Sequence, residues 1–195
     1  MGEESHIKMA PSIRIDALRK IKNKTIIKKK AAVMVLFYPD DNNVVNLLLM
    51  LRNTYKGVHS NQVGFPGGKV EKIDKSLLET ALRETFEEVG VPSNSVETIR
   101  ELSSIYIPPS NFEVQPYIGL YHNPLPFVIE EAEVASLIEV SLSDFMNDKN
   151  IITKKISTSY ATNIDVPAFK LNGYVVWGAT AMIMSELKEL LKQLL

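Results

Sequence analysis

Gly67-Gly68-Lys69-Val70-Glu71-Lys72-Ile73-Asp74, continued by Arg83-Glu84-Thr85-Phe86-Glu87-Glu88-Val89-Gly90, is the most informative stretch of this 195-residue chain. Just upstream, Val63-Gly64-Phe65-Pro66 adds another glycine and a proline. So many breakers forbid a regular helix, and backbone without side chains can approach another group closely. Lys69 to Lys75 reads as loop. Asp74 or Ser76 then caps a helix. Leu77, Leu78, Ala81, Leu82, Thr85, Phe86 and Val89 line one side of it, and Gly90 and Pro92 stop it. Glu84, Glu87 and Glu88 stand at i, i+3 and i+4, which predicts three carboxylates on one face and Leu78, Ala81, Leu82, Phe86 and Val89 on the core-facing one. Three adjacent carboxylates repel each other unless something positive holds them. A hard divalent cation bound through oxygen is the candidate. Arg83 adds a fixed cation that can reach Glu87 one turn on, or Asp74 across the loop–helix junction. The alternative is a solvated acidic surface, which many exposed helices carry.

Working outward, Ala31 to Tyr38 is a continuous apolar run that ends at Pro39-Asp40-Asp41-Asn42-Asn43, a turn signal. Val44 to Leu51 is a second run of strand length, so two buried strands joined by a tight turn are expected. Strand character returns over Ile99 to Ile107, Val114 to Tyr121 and Val134 to Val140, with Leu142 to Asp148 as a short helix. Residues 151–177 read as hairpin material with Asn172-Gly173 as the turn. From Thr180 the chain is helical, with Ile183, Leu187, Leu190, Leu191 and Leu194 on one stripe, either core or a homodimer seam. Trp177 is expected in the core. This order predicts one α/β domain with a mixed sheet between helices rather than repeated βαβ units. Residues 1–30 differ: Lys and Arg outnumber Glu3, Glu4 and Asp16, and a short amphipathic helix starts near Pro11. The expected organisation is a basic, partly helical extension over 1–30 and a main domain over 31–195.

Composition removes several classes. The chain is 45% hydrophobic and 23% charged, ordinary for a globular domain. Its 22 Lys+Arg against 23 Asp+Glu argue against a uniformly basic nucleic-acid binder. With no cysteine, disulfides, thiol nucleophiles and Cys-type zinc sites are excluded. No run approaches the roughly 20 apolar residues of a membrane span. The N-terminus lacks a basic head followed by an apolar stretch, so a cytoplasmic location is the expectation.

Gly68, Asp74, Arg83-Glu84, Glu87-Glu88, Gly90 and Val91 resemble the Nudix box, G-x5-E-x7-R-E-U-x-E-E-x-G-U with U apolar. The first acid here is Asp74, and the gap to Arg83 is one residue longer than the standard pattern. That gap resembles the coenzyme A pyrophosphatase branch of the family. So do Arg52, His59-Ser60-Asn61-Gln62-Val63-Gly64-Phe65-Pro66-Gly67-Gly68, Thr80-Ala81-Leu82-Arg83-Glu84 and Trp177-Gly178-Ala179-Thr180-Ala181. Two positions depart from the branch: Gly57, after Lys56, stands where an arginine is usual, and Asn61 replaces a glycine.

The resemblance implies a Nudix-type α/β/α sandwich and a metal-dependent hydrolase of a small diphosphate substrate. For the branch this is coenzyme A, cleaved to 3',5'-ADP and 4'-phosphopantetheine. ADP-ribose, a dinucleotide or a nucleotide sugar are alternatives, as is a non-catalytic nucleotide sensor. It implies Mg2+ or Mn2+ on Glu84, Glu88 and the Gly68 carbonyl, with Glu87 binding a further metal or acting through water. Arg83 and Asp74 would orient helix and loop. Arg52, His59, Gln62, Gly67 and Gly68 would meet substrate. Glu133 is the candidate base, with Glu130 and Glu131 as rivals.

Overall fold

The structure is a computed structural model that describes residues 2–21, 26–53, 61–158 and 161–194. Its centre is β1 (Lys29–Pro39), the apolar run identified in the sequence. Alternate residues of β1 serve two different cores. Ala31, Val35 and Phe37, with Val33, face one cluster. Ala32, Met34, Leu36 and Tyr38 face the other. A strand buried on both sides has no reason to alternate in polarity, which is why the run is unbroken.

Around β1 an eight-stranded mixed sheet assembles. β2 (Val45–Arg52) pairs antiparallel with β1 across the expected tight turn. The glycine-rich segment, whose breakers exclude a regular helix, forms two short strands, β3 (Val63–Gly64) and β4 (Gly67–Lys69), the second taking in Lys69 from the expected loop. They pair with β2 and β1 respectively. After α3 (Leu77–Val89) come β5 (Glu97–Glu101), β6 (Ile105–Ile107) and β7 (Phe112–Leu120). β7 lies parallel to β1 and accepts β5 and β6 on its other edge. β8 (Val134–Ser141) closes onto β2 and leads into α4 (Leu142–Met146). A separate three-stranded antiparallel sheet follows: β9 (Ile151–Thr158), β10 (Ala161–Leu171) and β11 (Tyr174–Trp177). Its last turn is Asn172-Gly173, both at positive φ (48° and 83°), the left-handed pair that a two-residue hairpin needs.

Helices cover both faces of the large sheet. α3 packs Ala81 and Val89 on the Ala32–Met34–Leu36 face. α5 (Gly178–Leu191) packs Ala181, Met182, Ile183, Met184 and Leu187 on the other, together with Phe169 and Leu171 of β10. The expected α/β/α layering is therefore present. Leu190 and Leu191 pack at the margin of that core, while Leu194 is exposed.

The N-terminal segment carries α1 (Gly2–Lys8) in addition to the expected helix, α2 (Ser12–Ile21). α1 is docked on α5: His6 Nε2 lies 2.9 Å from Glu186 Oε2, and both residues are buried. Glu186 also accepts from the Ser103 amide (3.1 Å) and hydroxyl (2.8 Å). Among the described residues, no helix is long and apolar enough to cross a membrane.

Gly67 shows why the glycine-rich segment can join the sheet. Its φ is 149°, and an added Cβ would lie 2.3 Å from the Ala32 carbonyl oxygen. Gly67→Ala is therefore expected to destabilise the protein by about 2 kcal/mol or more, through strain and forced separation of β4 from β1. Chemical denaturation of the two proteins side by side measures this; equal midpoints would contradict the tight fit.

Candidate functional site

α3 begins as the sequence predicts and ends as predicted. Ser76 is the N-cap, accepting from the Glu79 amide, and Gly90 is a left-handed C-cap at φ 75°. The inward stripe, however, is rotated from the expected one. Phe86 is 54% exposed, whereas Thr80, Ala81, Thr85, Glu88 and Val89 are buried. The helix turns Glu88 rather than Phe86 inward because that carboxylate finds donors there, and a buried charge is tolerable only when it is paired and hydrogen-bonded.

Those donors come from the glycine-rich strand and from β2. Glu88 Oε2 accepts from the Gly67 amide at 2.7 Å, and Oε1 accepts from Arg52 Nη1 at 3.0 Å. Arg52 Nη2 also donates to the Gly67 carbonyl at 2.6 Å. Helix, strand end and loop are thus fastened at one point. The three carboxylates do not share one solvent face, as the spacing predicted. The Glu88 side chain is 2% exposed, that of Glu84 13% and that of Glu87 53%.

Arg83 is a second fastening. It holds Asp74 by two parallel bonds of 2.9 Å, and donates to Glu84 (2.9 Å), Glu87 (2.7 Å) and the Lys69 carbonyl (3.2 Å). Both partners proposed for it from the sequence are engaged at once. Arg83, together with the Glu71 amide and the Thr80 hydroxyl, holds the Asp74 carboxyl well below the usual carboxylate range. Asp74 therefore fixes the turn between β4 and α3.

Gly68 stands opposite Ala32 in the β1–β4 register. A Cβ there would lie 2.4 Å from the Glu84 carboxylate carbon, so only glycine lets Glu84 close over this strand. The third contributor arrives from the far end of the chain's middle. The Glu130 amide donates to the Glu88 carbonyl (3.1 Å), and the Asn53 amide to the Glu133 carbonyl (2.8 Å). These bonds seat the turn before β8 beside Arg52 and α3. Glu133 is close enough to push the affinity of both Glu84 and Glu88 for a proton upward. Glu130 instead turns its carboxylate back to the Ala132 amide (3.1 Å). Of the three acids named from the sequence, Glu133 is the one whose charge is felt at the helix carboxylates.

Electrostatically this is a stressed cluster. Burial pushes Glu88 up to about 7, with Glu84 and Glu133 adding to it and Arg52 and the Gly67 amide opposing. Glu84 is raised too, chiefly by burial. Among the described residues, no three Asp, Glu or His side chains are arranged as a metal-holding group. Glu84, Glu87 and Glu88 each face an arginine instead. The donor set nevertheless suits a hard divalent cation: carboxylate oxygens under mutual repulsion beside strand carbonyls, with no sulfur or imidazole among them.

The same strands wall a cavity of about 250 Å3 on the α5 face of the sheet. Its lining includes Arg52, Gln62, Phe65, Gly67, Gly68 and Trp177. Arg52 therefore belongs to both compartments. Gln62, expected to meet substrate, lines this cavity, and its carbonyl accepts from the Arg52 amide at 3.0 Å. His59 and Gly57 lie outside the described residues. Trp177 was expected in the core but is only half-buried and faces the cavity. Sequence spacing carried no signal for the Arg52–Glu88 link, 36 residues apart.

Known proteins resemble the chain over most of its length. A profile of the NUDIX domain matches residues 28–152. The chain belongs to the Nudix family. A curated relative, the uncharacterized Nudix hydrolase NudL of Yersinia enterocolitica, is 35% identical over 143 residues, 73% of this chain and 72% of that protein. NudL of Yersinia pestis is 33% identical over 152 residues, covering 73% and 71%. Among solved structures, the Nudix hydrolase RenU of M. smegmatis has a TM-score of 0.58 at 15% identity, over 86% of this chain and 88% of that one. A MutT protein from Methanosarcina mazei has a TM-score of 0.54 at 15% identity, over 87% and 99%. At such identities these structures speak to the fold, the mixed sheet between helices.

The raised Glu88 has a sign that can be tested. A carboxyl with a folded-state pKa above its unfolded value stabilises the fold less as it ionises. In EDTA, stability should therefore fall as pH rises from about 4.5 to 7 and level off above, by on the order of 3 kcal/mol from this group. Glu88→Gln should flatten that slope, as read by denaturation midpoints across pH 5–8. An unchanged slope would show that Glu88 is not the group that titrates.

Proposed function

We propose that this Nudix protein is a metal-dependent diphosphate hydrolase whose substrate is coenzyme A or one of its derivatives, cleaved to 3',5'-ADP and 4'-phosphopantetheine. The observation that carries the hydrolase reading is the convergence of Glu84 and Glu88 at the Gly67–Gly68 strand, within reach of the Glu133 charge and with Arg52 bridging to the cavity. The coenzyme A reading rests on the resemblance of Arg52, Gln62 to Gly68 and Trp177 to Ala181 to that branch.

Glu84, Glu88 and the Gly68 carbonyl would hold Mg2+ or Mn2+, with Glu87 at the solvent edge. A ladder carbonyl keeps one lone pair free for such a role. When bound, the ion neutralises phosphoryl charge and makes a coordinated water more acidic. Arg83 and Asp74 keep the β4–α3 turn rigid, so that Glu84 stays over Gly68. Arg52 orients Glu88 and the Gly67 peptide while presenting positive charge at the cavity rim. Glu133 would accept a proton from the attacking water as the anhydride P–O bond breaks, leaving two phosphate monoesters. An acidic cluster this complete is superfluous in a protein that only senses a nucleotide, which favours catalysis over that alternative.

Incubation of the purified protein with coenzyme A and Mg2+ or Mn2+, followed by mass spectrometry, tests the reading. The expected products are 3',5'-ADP and 4'-phosphopantetheine, absent with EDTA. No turnover of coenzyme A, with turnover of ADP-ribose or a dinucleotide, would move the assignment to that conjugate. Glu84→Gln and Glu88→Gln should each lower kcat at least about 100-fold, in line with loss of metal-assisted or acid–base chemistry. Circular dichroism should show the fold retained. Near-normal turnover by both variants at saturating Mg2+ would rule out the helix carboxylates as the metal site.

A further inference from the structure

A second cavity, of about 350 Å3, lies beside the first. Ile107, Trp177, Gly178 and Ala179 line both. At that shared wall Gly178 has φ 65°, and a Cβ placed there would meet no atom within 4 Å. The partition is thus open at Gly178. Beyond it the walls are mostly apolar: Ile13 and Ala17 of α2, Ile105, Pro108, Pro109 and Met182.

One charged group enters this apolar space. Arg14, on α2, lines the cavity, and its Nη1 is buried with no hydrogen-bond partner. Among the described residues, no acid lines either cavity. Glu186, one turn beyond Met182 on α5, is taken up by His6 and Ser103. Burial alone, with no carboxylate to offset it, pulls the Arg14 guanidinium below its ordinary value. A guanidinium in an apolar recess costs stability unless an anion completes it. Arginine is also the side chain whose planar fork best matches phosphate oxygens.

We propose that the cavity around Arg14 is a specificity subsite for a phosphate monoester carried by the substrate's nucleoside in addition to the diphosphate. The inference rests on the hydrolase reading above, which sets the anhydride at the Gly67–Gly68 strand and leaves the rest of the molecule to the two cavities. A nucleoside lies along the shared wall, its base against Trp177, and its additional phosphate reaches Arg14. The N-terminal segment then contributes to substrate choice, and a nucleotide lacking that phosphate leaves Arg14 unpaired.

Trp177 is the only tryptophan in the chain, so its fluorescence reports this wall directly. The test titrates 3',5'-ADP and 5'-AMP, which differ by the one phosphate, against the wild-type protein and Arg14→Met. The wild type should bind 3',5'-ADP at least about tenfold tighter than AMP, the scale of one charge-assisted contact. Arg14→Met should abolish that preference by weakening 3',5'-ADP alone, and should keep or raise the melting temperature of the free protein. Equal affinities in the wild type, or equal weakening of both nucleotides in the variant, would overturn the proposal. So would a lower melting temperature with the preference intact, which marks Arg14 as a packing group. The readout needs no turnover. If coenzyme A is not hydrolysed but the binding preference and its loss are seen, the substrate reading fails and the subsite stands; hydrolysis without any preference gives the reverse.

Discussion

Glu88 accepts a proton-bearing amide from Gly67 and a guanidinium from Arg52, and the site geometry depends on that junction. Three separate pieces of chain meet there: the last turn of α3, the start of β4 and the end of β2. Its charge is buried, so removing either donor would leave a costly unpaired group. The same burial keeps Glu88 reluctant to ionise. The junction is consequently a rigid anchor and a store of electrostatic stress. Stress of that kind is characteristic of functional sites, where stability and activity pull in opposite directions.

Arg83 performs the complementary task on the other side of the helix. By gripping Asp74 with both arms it defines the turn that delivers β4 to α3. A bidentate arginine–carboxylate pair fixes direction as well as distance. Glu84 is thereby held against Gly68, where any side chain would collide with it. The extra residue between Asp74 and Arg83, relative to the standard family pattern, is absorbed without loss of this contact.

The two cavities lie on the opposite face of the sheet from α3, and Arg52, Gly67 and Gly68 connect the first of them to the helix carboxylates. A sheet with helices on both faces offers this division naturally. Acidic chemistry is concentrated on one side of the glycine-rich strand, and mostly apolar volume, with Arg52 and Arg14 at its walls, on the other. The N-terminal helices extend the second side: α1 is anchored through the buried His6–Glu186 pair, and α2 brings Ile13, Arg14 and Ala17 to the cavity wall.

Much of this was legible in the residues. The apolar run of β1, the Ser76 and Gly90 caps of α3, the Asn172-Gly173 turn and the Arg83–Asp74 contact are local, and local spacing encodes local geometry. Helical periodicity placed the glutamates three and four apart but could not choose which side of the helix faced inward. Phe86 is the more apolar candidate, yet Glu88 is buried, because the donors that make its burial tolerable come from residues 21 and 36 positions away. Glu133 was separable from Glu130 and Glu131 only once backbone bonds to Asn53 and Glu88 had set the turn. Trp177 and Arg14 look like core and surface residues in sequence, and it is the meeting of α2, β6 and the start of α5 around one space that makes them walls of a cavity. Sequence by itself determined the elements, their order and the inventory of chemical groups, since those follow from short-range sterics and hydrophobic period. Tertiary structure decided which charges are buried and which groups meet, because desolvation and pairing depend on partners that only folding brings within reach.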